Sequence, residues 1–248
     1  MPKALIFGGT TEGRLLCEAC SARGINAIYC VATELGAVLL PGITPRIGRL
    51  DSLAMTALIQ QERPALVLDA THPYAAEVSA NIRASCMEAG VALVRILRDE
   101  GEVTKDCLSF STHTDLIAWL EKTSGAIFVA TGAKEAAIFT GLSGFQERIW
   151  FRMLPDILGL KNCLDLGYSA ARIMCMQGPF SRDLNRAMFA AAAASILVTK
   201  NSGAPGGFAE KLEAARDLGM HVALLTRPPD PGGVPLERAI AELEGLGS

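Results

Sequence analysis

The chain has little net charge, and it lacks a long hydrophobic run. Its formal charge is −3 over 248 residues, which gives no electrostatic reason to expect a nucleic-acid partner. The most apolar stretch, residues 187–198, is too short to span a bilayer and contains Ser195. The first residues predict a strand rather than a charged region followed by an apolar signal segment. We therefore expect a cytoplasmic protein with no membrane partner.

Paired cysteines are also scarce. The chain has 7 cysteines, an odd number, and they are scattered singly apart from Cys17 and Cys20. This usage favours free thiols in a reducing compartment. Cys17 and Cys20 have CxxC spacing, but they fall inside a predicted helix and no second pair completes a zinc site. We expect both to be buried as small hydrophobic residues, with no metal bound.

Several catalytic signatures are missing. The sequence has no HExxH, no GxSxG, and no tyrosine followed four positions later by lysine, as short-chain reductases require. Residues 199–207, TKNSGAPGG, lack the GxxxxGK(S/T) order of a P-loop, so an NTPase is not expected. Since no acid, base or nucleophile stands out, a redox enzyme of this sequence would take its hydride from a cofactor.

The segment around which the chain is organised is KALIFGGTTEGRLL, residues 3–16. It predicts a strand, a glycine turn and a helix. Such turns bind phosphates because the backbone can approach closely and the helix dipole favours negative charge. The candidate cofactor-binding residues here are Gly8, Gly9, Thr10, Thr11, Glu12 and Gly13. The alternative is that the glycines only pack the first helix against the sheet.

The match to the dinucleotide fingerprint GxGxxG is partial. Gly8 and Gly13 stand at its first and third glycines, whereas Thr10 occupies the middle position. A second predicted strand over 27–32 is followed by Glu34, where an acidic side chain can hydrogen-bond a ribose 2′-hydroxyl. Strand, turn, helix and acidic residue together predict a nucleotide site.

Strands and helices alternate along the rest of the chain, which predicts an α/β fold with parallel sheets covered on both faces. The polar segment 97–106 loses this periodicity, so we expect a domain boundary there. The expected domains are residues 1–98, for nucleotide binding, and 106–248, for substrate. Two similar halves result, without a residue-level repeat between them.

Ligands of open α/β sheets bind at the carboxyl ends of the strands, so the loops there hold the candidate site residues. His72 follows a predicted strand and comes directly before Pro73, which suits the first position of a helix over residues 73–89. His72 could donate a proton or hold a nicotinamide ring, or it could only cap the turn. Thr71 and Tyr74 add polar groups beside it.

Basic residues recur in or just after the loops of the second half: Lys134, Arg182, Arg186 and Lys200. Together they would form a basic wall for a substrate rich in carboxylates, because arginine offers a planar fork and lysine a mobile point charge. The alternative for each is ordinary surface charge.

Six motifs, in order along nearly the whole chain, resemble the precorrin-6A reductase family of cobalamin biosynthesis. They are GGTTEGR (8–14), GRLD (48–51), DATHPYA (69–75), QGPFS (177–181), TKNSG (199–203) and TRP (226–228). The resemblance implies two Rossmann-like domains with a cleft between them. It also implies reduction of one double bond of the precorrin-6A macrocycle by NADH or NADPH, giving precorrin-6B.

The same resemblance implies roles for the candidate residues. Gly8–Gly13 would hold the pyrophosphate, Thr71–Pro73 would lie beside the nicotinamide, and Tyr74 with the basic residues would face the carboxylate-rich macrocycle. Members that use NADPH are expected to have an arginine after the second strand, where this chain has Glu34. A carboxylate there repels a 2′-phosphate, which favours NADH and, with it, the cobalt-containing substrate.

Two alternatives stay open on the sequence alone. A nucleotide-sugar glycosyltransferase also has two Rossmann-like halves. A non-catalytic NAD(H) sensor would bind the nucleotide but would not need a basic wall in the second half.

Overall fold

A computed structural model describes residues 3–97, 102–103, 107–203, 206–228 and 232–245, with Leu35 described by its backbone alone. The chain divides into two compact units, residues 1–99 with 228–248, and residues 100–227. Among the helices described, none is both long and apolar enough to cross a bilayer.

The first unit is built on a sheet of parallel strands in the order β3-β2-β1-β4-β5. Its strands are β1 Lys3–Phe7, β2 Asn26–Val31, β3 Ile43–Ile47, β4 Leu66–Asp69 and β5 Leu93–Arg95. Because side chains alternate along a strand, Ile6 of β1 packs into one core cluster and Leu5 into the cluster on the opposite face. A sheet buried on both faces explains the continuous apolar run of β1.

The second unit has its own parallel sheet, in the order β6-β11-β10-β7-β8-β9. Its strands are β6 Cys107–Phe110, β7 Ala126–Val129, β8 Ile149–Met153, β9 Ile173–Cys175, β10 Ala194–Lys200 and β11 His221–Leu225. Two core clusters lie on its two faces; Val129 and Phe151 belong to one, and Phe128 and Leu197 to the other.

Helices connect these strands. They are α1 Thr11–Ala22, α2 Ser52–Glu62, α3 Ala76–Ala89, α4 His113–Leu120, α5 Ala136–Phe139, α6 Phe145–Arg148, α7 Ile157–Asp165, α8 Arg182–Ala191, α9 Phe208–Asp217 and α10 Leu236–Glu244. Their ends follow local chemistry. Asp51 caps α2 by accepting from the Ala54 amide, and Gly90 ends α3 in the left-handed conformation.

The expected fold class is confirmed: the chain is α/β, with two parallel sheets of Rossmann-like type. Strand β6 was not among the expected strands. The division into units also differs from the expected second domain, 106–248, because α10 packs with the first unit. Its Ala239 and Leu243 are buried in the cluster that contains Ala4 and Leu16.

Cys17 and Cys20 are fully buried in α1, as expected, and all the cysteines are free thiols. Burial raises the pKa of the Cys17 thiol to about 12 and that of Cys20 to about 11. Since the thiolate is the reactive form, neither side chain is suited to redox chemistry.

Candidate active site

The loops after β1 and β4 meet at the carboxyl edge of the first sheet. Strands β2 and β3 lie on one side of β1, and β4 and β5 lie on the other. The strand order therefore reverses between β1 and β4. Open α/β sheets bind ligands at such a point. Thr10 joins the two loops. Its hydroxyl donates to the Ala70 carbonyl at 2.7 Å and accepts from the Gly13 amide at 3.2 Å, so Thr10, rather than Thr11, caps α1.

The glycines of the first loop have different surroundings. A Cβ at Gly8 would lie 2.2 Å from the ring of Tyr29, and one at Gly13 would lie 2.8 Å from the Tyr29 hydroxyl. These two glycines are therefore required for packing. Gly9 has φ +95° and open space where a Cβ would stand, and its amide donates to the Tyr29 hydroxyl at 2.9 Å. The open side of Gly9 leaves room for a ligand to approach the backbone.

Glu34 is brought close to this loop by the 3-10 turn that follows β2, Glu34–Gly36. A Cβ at Gly36 would lie 3.3 Å from the Gly9 Cα, so the turn packs directly against the glycine loop. The Glu34 side chain is exposed. Its position after β2 is the one expected of a residue that contacts a ribose.

The loop after β4 is held by a buried ion pair that the sequence analysis did not single out. Asp69 and Arg95 are 1% and 6% exposed, and Arg95 Nη1 lies 2.9 Å from Asp69 Oδ1. The Thr71 hydroxyl and amide both donate to the same carboxylate oxygen, at 2.7 and 3.0 Å. The hydroxyl of Ser79, in α3, lies 3.1 Å from the Thr71 hydroxyl.

His72 is exposed at the tip of this loop. Its Nδ1 accepts from the Tyr74 amide at 3.3 Å, and the two rings lie 5.7 Å apart. Pro73 does not begin the next helix, contrary to expectation. The Ala75 amide donates to the His72 carbonyl at 2.8 Å, closing a turn, and α3 begins only at Ala76. The turn sets the His72 ring outside the helix, in the loop at the carboxyl end of β4.

A small pocket lies between the two loops and is lined by Glu12, Ala70, Thr71, Pro73 and Ile96. Glu12 is 9% exposed, although it belongs to the first turn of α1. The structure therefore brings Glu12 together with Thr71 and Pro73, which the sequence analysis had assigned to the same cofactor site from separate motifs.

In the second unit, the loops after β7 and β10 are also adjacent. Lys200 and Glu135 form an ion pair between these loops, and His113 Nε2 lies 3.2 Å from the same Glu135 oxygen. Lys200 is thus compensated by a carboxylate rather than being an isolated basic residue. Lys134, next to Glu135, is exposed.

Arg182 and Arg186 lie on α8 and are exposed. Arg182 makes a two-bond contact with the Asp217 carboxylate, at 2.8 and 2.6 Å, and Glu213 lies 4.0 Å away. Both acids belong to α9, so the charge of Arg182 is balanced on this helix pair. Of the four expected basic residues, Lys200 and Arg182 therefore have acidic partners.

Two further cations of the second unit are buried, and the sequence analysis missed them. Arg152 is 7% exposed and Lys211 is 6% exposed. Arg152 donates to Asn185 Oδ1 at 2.7 Å, and its guanidinium stacks on the Phe180 ring at 4.2 Å. Burial lowers the pKa of Arg152 to about 10. Neither residue belongs to a sequence motif, so only their tertiary surroundings identify them.

Comparison with known proteins assigns the chain to a family. The family model described as precorrin-6x reductase CbiJ/CobK matches residues 3–244. The chain belongs to the precorrin-6x reductase family. The resemblance inferred from the six motifs is confirmed.

Relatives within the precorrin-6x reductase family match over most of their length. The cobalt-precorrin-6A reductase of Salmonella typhimurium is 33% identical over 230 residues, covering 90% of this chain and 87% of the relative. The precorrin-6A reductase of Rhodobacter capsulatus is 32% identical over 251 residues, covering 99% and 94%. A solved structure of CobK precorrin-6A reductase superposes with a TM-score of 0.79 at 27% identity, covering 100% of this chain and 98% of that one.

The structure shows hydrogen bonds that fix two of the six motifs, DATHPYA and QGPFS. DATHPYA contains Asp69 and Thr71, whose hydrogen bonds shape the loop after β4. QGPFS contains Phe180 and Ser181, whose carbonyls accept from the buried Asn185 amide at 3.1 and 2.9 Å. In this member of the precorrin-6x reductase family, both loops are therefore fixed by buried polar side chains.

Proposed function

We propose that this chain reduces one carbon–carbon double bond of the precorrin-6A or cobalt-precorrin-6A macrocycle by hydride transfer from a reduced nicotinamide nucleotide. The observation that carries the proposal is the hydrogen bond from the Thr10 hydroxyl to the Ala70 carbonyl. It joins the glycine loop and the His72 loop at the carboxyl edge of the sheet. Family membership also supports the proposal, because relatives that match nearly the whole chain are named cobalt-precorrin-6A reductase and precorrin-6A reductase.

The first unit fits a dinucleotide. The open side of Gly9 gives a diphosphate access to the backbone, and the start of α1 adds the positive end of a helix dipole. The proposed cofactor-binding residues are Gly8, Gly9, Thr10, Thr11, Glu12, Gly13, Glu34, Thr71, His72 and Pro73. When bound, the nicotinamide nucleotide supplies the hydride. The chain holds the diphosphate at the first loop and orients the nicotinamide at the second.

We favour NADH over NADPH. Glu34 lies on the turn that packs against the glycine loop, where a carboxylate accepts from a ribose 2′-hydroxyl and repels a 2′-phosphate. We also favour the cobalt-containing substrate of the anaerobic branch, since the Salmonella typhimurium relative is named as a cobalt-precorrin-6A reductase.

The substrate carries many carboxylates, and we propose that the second unit binds it. The proposed substrate-binding residues of the second unit are Lys134, Arg182, Arg186 and Lys200; in the first unit, Tyr74 is proposed as a further one. Lys134 and Arg186 are exposed, whereas Lys200 and Arg182 must exchange an acidic partner for the substrate. We also place the enzyme in the cytoplasm, where its free cysteines stay reduced.

The test is anaerobic incubation of the purified chain with precorrin-6A or cobalt-precorrin-6A and either NADH or NADPH. The expected result is oxidation of the nucleotide, followed by its absorbance, together with formation of a reduced macrocycle. Absence of turnover with all four combinations would contradict the proposal. Calorimetry with NADH, NADPH and a sugar nucleotide separates the alternatives, since a glycosyltransferase binds the last and a sensor binds NAD(H) without turnover.

A further inference from the structure

One nitrogen of Arg95 makes a concentrated set of contacts with the loop after β4. Its Nη1 donates to Asp69 Oδ1 at 2.9 Å and to the Thr71 carbonyl at 3.0 Å. It also lies 3.2 Å from the Thr71 hydroxyl and 3.3 Å from the Asp69 carbonyl. The side chain thus contacts the loop through both backbone and side-chain acceptors of two residues.

Arg95 is itself held in place. It ends β5, and its carbonyl accepts from the Val234 amide at 2.8 Å, while the Val234 carbonyl accepts from the Leu97 amide at 2.8 Å. A Cβ at Gly233 would lie 2.6 Å from the Arg95 carbonyl oxygen, so that segment packs closely on β5. The guanidinium therefore reaches the loop from a backbone fixed on both sides.

Such a pair is not explained by stability alone. Burying an aspartate and an arginine costs desolvation that their attraction only roughly offsets, and an apolar pair of similar volume is often as stable. What the pair adds is geometry, because each lone pair and N–H group has a defined direction. Here the directions fix Thr71, which precedes His72.

We propose that Arg95, acting through Asp69 and Thr71, is the positioning residue that sets the Thr71–Tyr74 loop against the nicotinamide. The assignment of the nicotinamide to this loop rests on the proposed function. The hydrogen bonds described above join Arg95 to the second loop, which is the loop proposed to lie beside the nicotinamide. Its loss should therefore affect hydride transfer more than nucleotide affinity.

The decisive variants are Arg95→Gln, which removes the charge, Arg95→Lys, which keeps it, and Asp69→Asn, which removes the partner charge. Lys3→Gln is the matched control, since it breaks the Lys3–Glu62 ion pair at the amino end of the same sheet. Three quantities are measured: kcat for each folded variant, the NADH dissociation constant by fluorescence titration, and the deuterium isotope effect with 4-deuterated nucleotide.

For Arg95→Gln we expect kcat to fall about 10- to 100-fold, with the NADH dissociation constant changed less than about threefold. The isotope effect should rise, because misaligned hydride transfer becomes rate-limiting. Arg95→Lys should recover part of kcat. Equal kcat and isotope effect in Arg95→Gln and in the Lys3→Gln control would overturn the proposal.

A fourth measurement does not depend on the reaction. Amide hydrogen exchange of the free protein should become faster at Thr71 and Ala75 in Arg95→Gln and in Asp69→Asn, while β1 and β4 stay protected. Unchanged exchange in the loop contradicts the positioning role even if the chain proves to be a different enzyme. If Arg95→Gln does not fold, Asp69→Asn provides the same kinetic and exchange comparisons with the same opposing outcomes.

Discussion

The ring of Tyr29 occupies the space that a side chain on Gly8 would need: a Cβ at Gly8 would lie 2.2 Å from Cε2 of Tyr29. Gly8 directly follows β1, and Tyr29 lies in the neighbouring strand β2. The Tyr29 hydroxyl also accepts a hydrogen bond from the Gly9 amide at 2.9 Å. Tyr29 therefore sets the shape of the loop proposed to hold the diphosphate. Burial, the largest cause, raises the pKa of its phenol, so the hydroxyl stays protonated and neutral.

Gly8→Ala is expected to displace the glycine loop or Tyr29. Overpacking of this kind costs about 1 to 3 kcal/mol of unfolding free energy, and nucleotide binding should weaken by about tenfold or more because the loop moves. Urea unfolding and NADH titration measure the two effects. Gly141→Ala is the control, since its Cβ would meet only the Ile138 carbonyl at 3.5 Å. Similar affinities in both variants would show that the loop does not bind the diphosphate.

The sequence predicted most strands because their apolar runs and flanking turns are local signals. It placed the glycine loop and the loop of Thr71–Pro73 at the carboxyl ends of parallel strands, and these two strands are neighbours in the first sheet. It did not predict the Tyr29 contact or the Arg95–Asp69 pair, which join residues 20 or more positions apart. A buried charge has no periodicity of its own, so only the tertiary structure reveals its partner.

The last helix shows the same limit. The pattern of α10 predicts an apolar face, but not which sheet covers it. Val234 pairs with Ile96 beside β5, and this contact brings α10 onto the first unit rather than the second. Similarly, Pro73 suits a first helical position, yet the turn closed by Ala75 and His72 delays the helix to Ala76.

Glu34→Arg is expected to shift nucleotide preference towards NADPH by about tenfold or more, since a charge-assisted bond to the 2′-phosphate replaces a repulsion. The ratio of kcat/KM for NADPH to that for NADH measures the shift. Glu147→Arg carries the same charge change on an exposed residue of the second unit and is the control. An unchanged ratio in Glu34→Arg would mean that Glu34 does not face the ribose.

His72→Ala should lower kcat more than it weakens NADH binding, because His72 is exposed at the loop tip and its ring is ordered by the Tyr74 amide. We expect a fall of about 10- to 100-fold in kcat, with a change below about threefold in the dissociation constant. His221→Ala, at the start of β11, is the matched exposed histidine. Equal kinetics in the two variants would leave His72 with the structural role of capping the turn.

Lys134→Ala and Arg182→Ala should differ in their effect on the tetrapyrrole KM. Lys134 is exposed next to the loop of β7, whereas Arg182 already contacts Asp217 through two bonds. A carboxylate must displace Asp217 to use Arg182, which offsets part of the gain, so we expect KM to rise about tenfold for Lys134→Ala and only about threefold for Arg182→Ala. The reverse order would show that losing the contact with Asp217 does not weaken the contribution of Arg182 to substrate binding.

Lys211 gives the clearest prediction for pH and stability. Burial, and secondly the charge of Arg152, lower its pKa from 10.5 to about 7, while Glu210 acts in the opposite direction. Its Nζ lies 3.4 Å from the Ser202 hydroxyl. Between about pH 7 and 10.5 the unfolded chain binds a proton that the folded chain has released. The contribution of Lys211 to the unfolding free energy therefore rises with pH across this range.

Below about pH 7 the folded protein carries the full cost of a buried ammonium group. Lys211→Met removes this cost, so we expect it to be about 1 to 3 kcal/mol more stable than the parent at pH 6, with the difference shrinking towards pH 10. Urea unfolding at several pH values measures the difference in unfolding free energy between the variant and the parent. The cysteines titrate in both proteins, so their contribution cancels in this difference. Lys122→Met, which removes an exposed lysine, should follow the parent at every pH. Because the prediction concerns the slope rather than the absolute stability, a constant offset between Lys211→Met and the parent would show that the ammonium group is solvated or paired in the folded state.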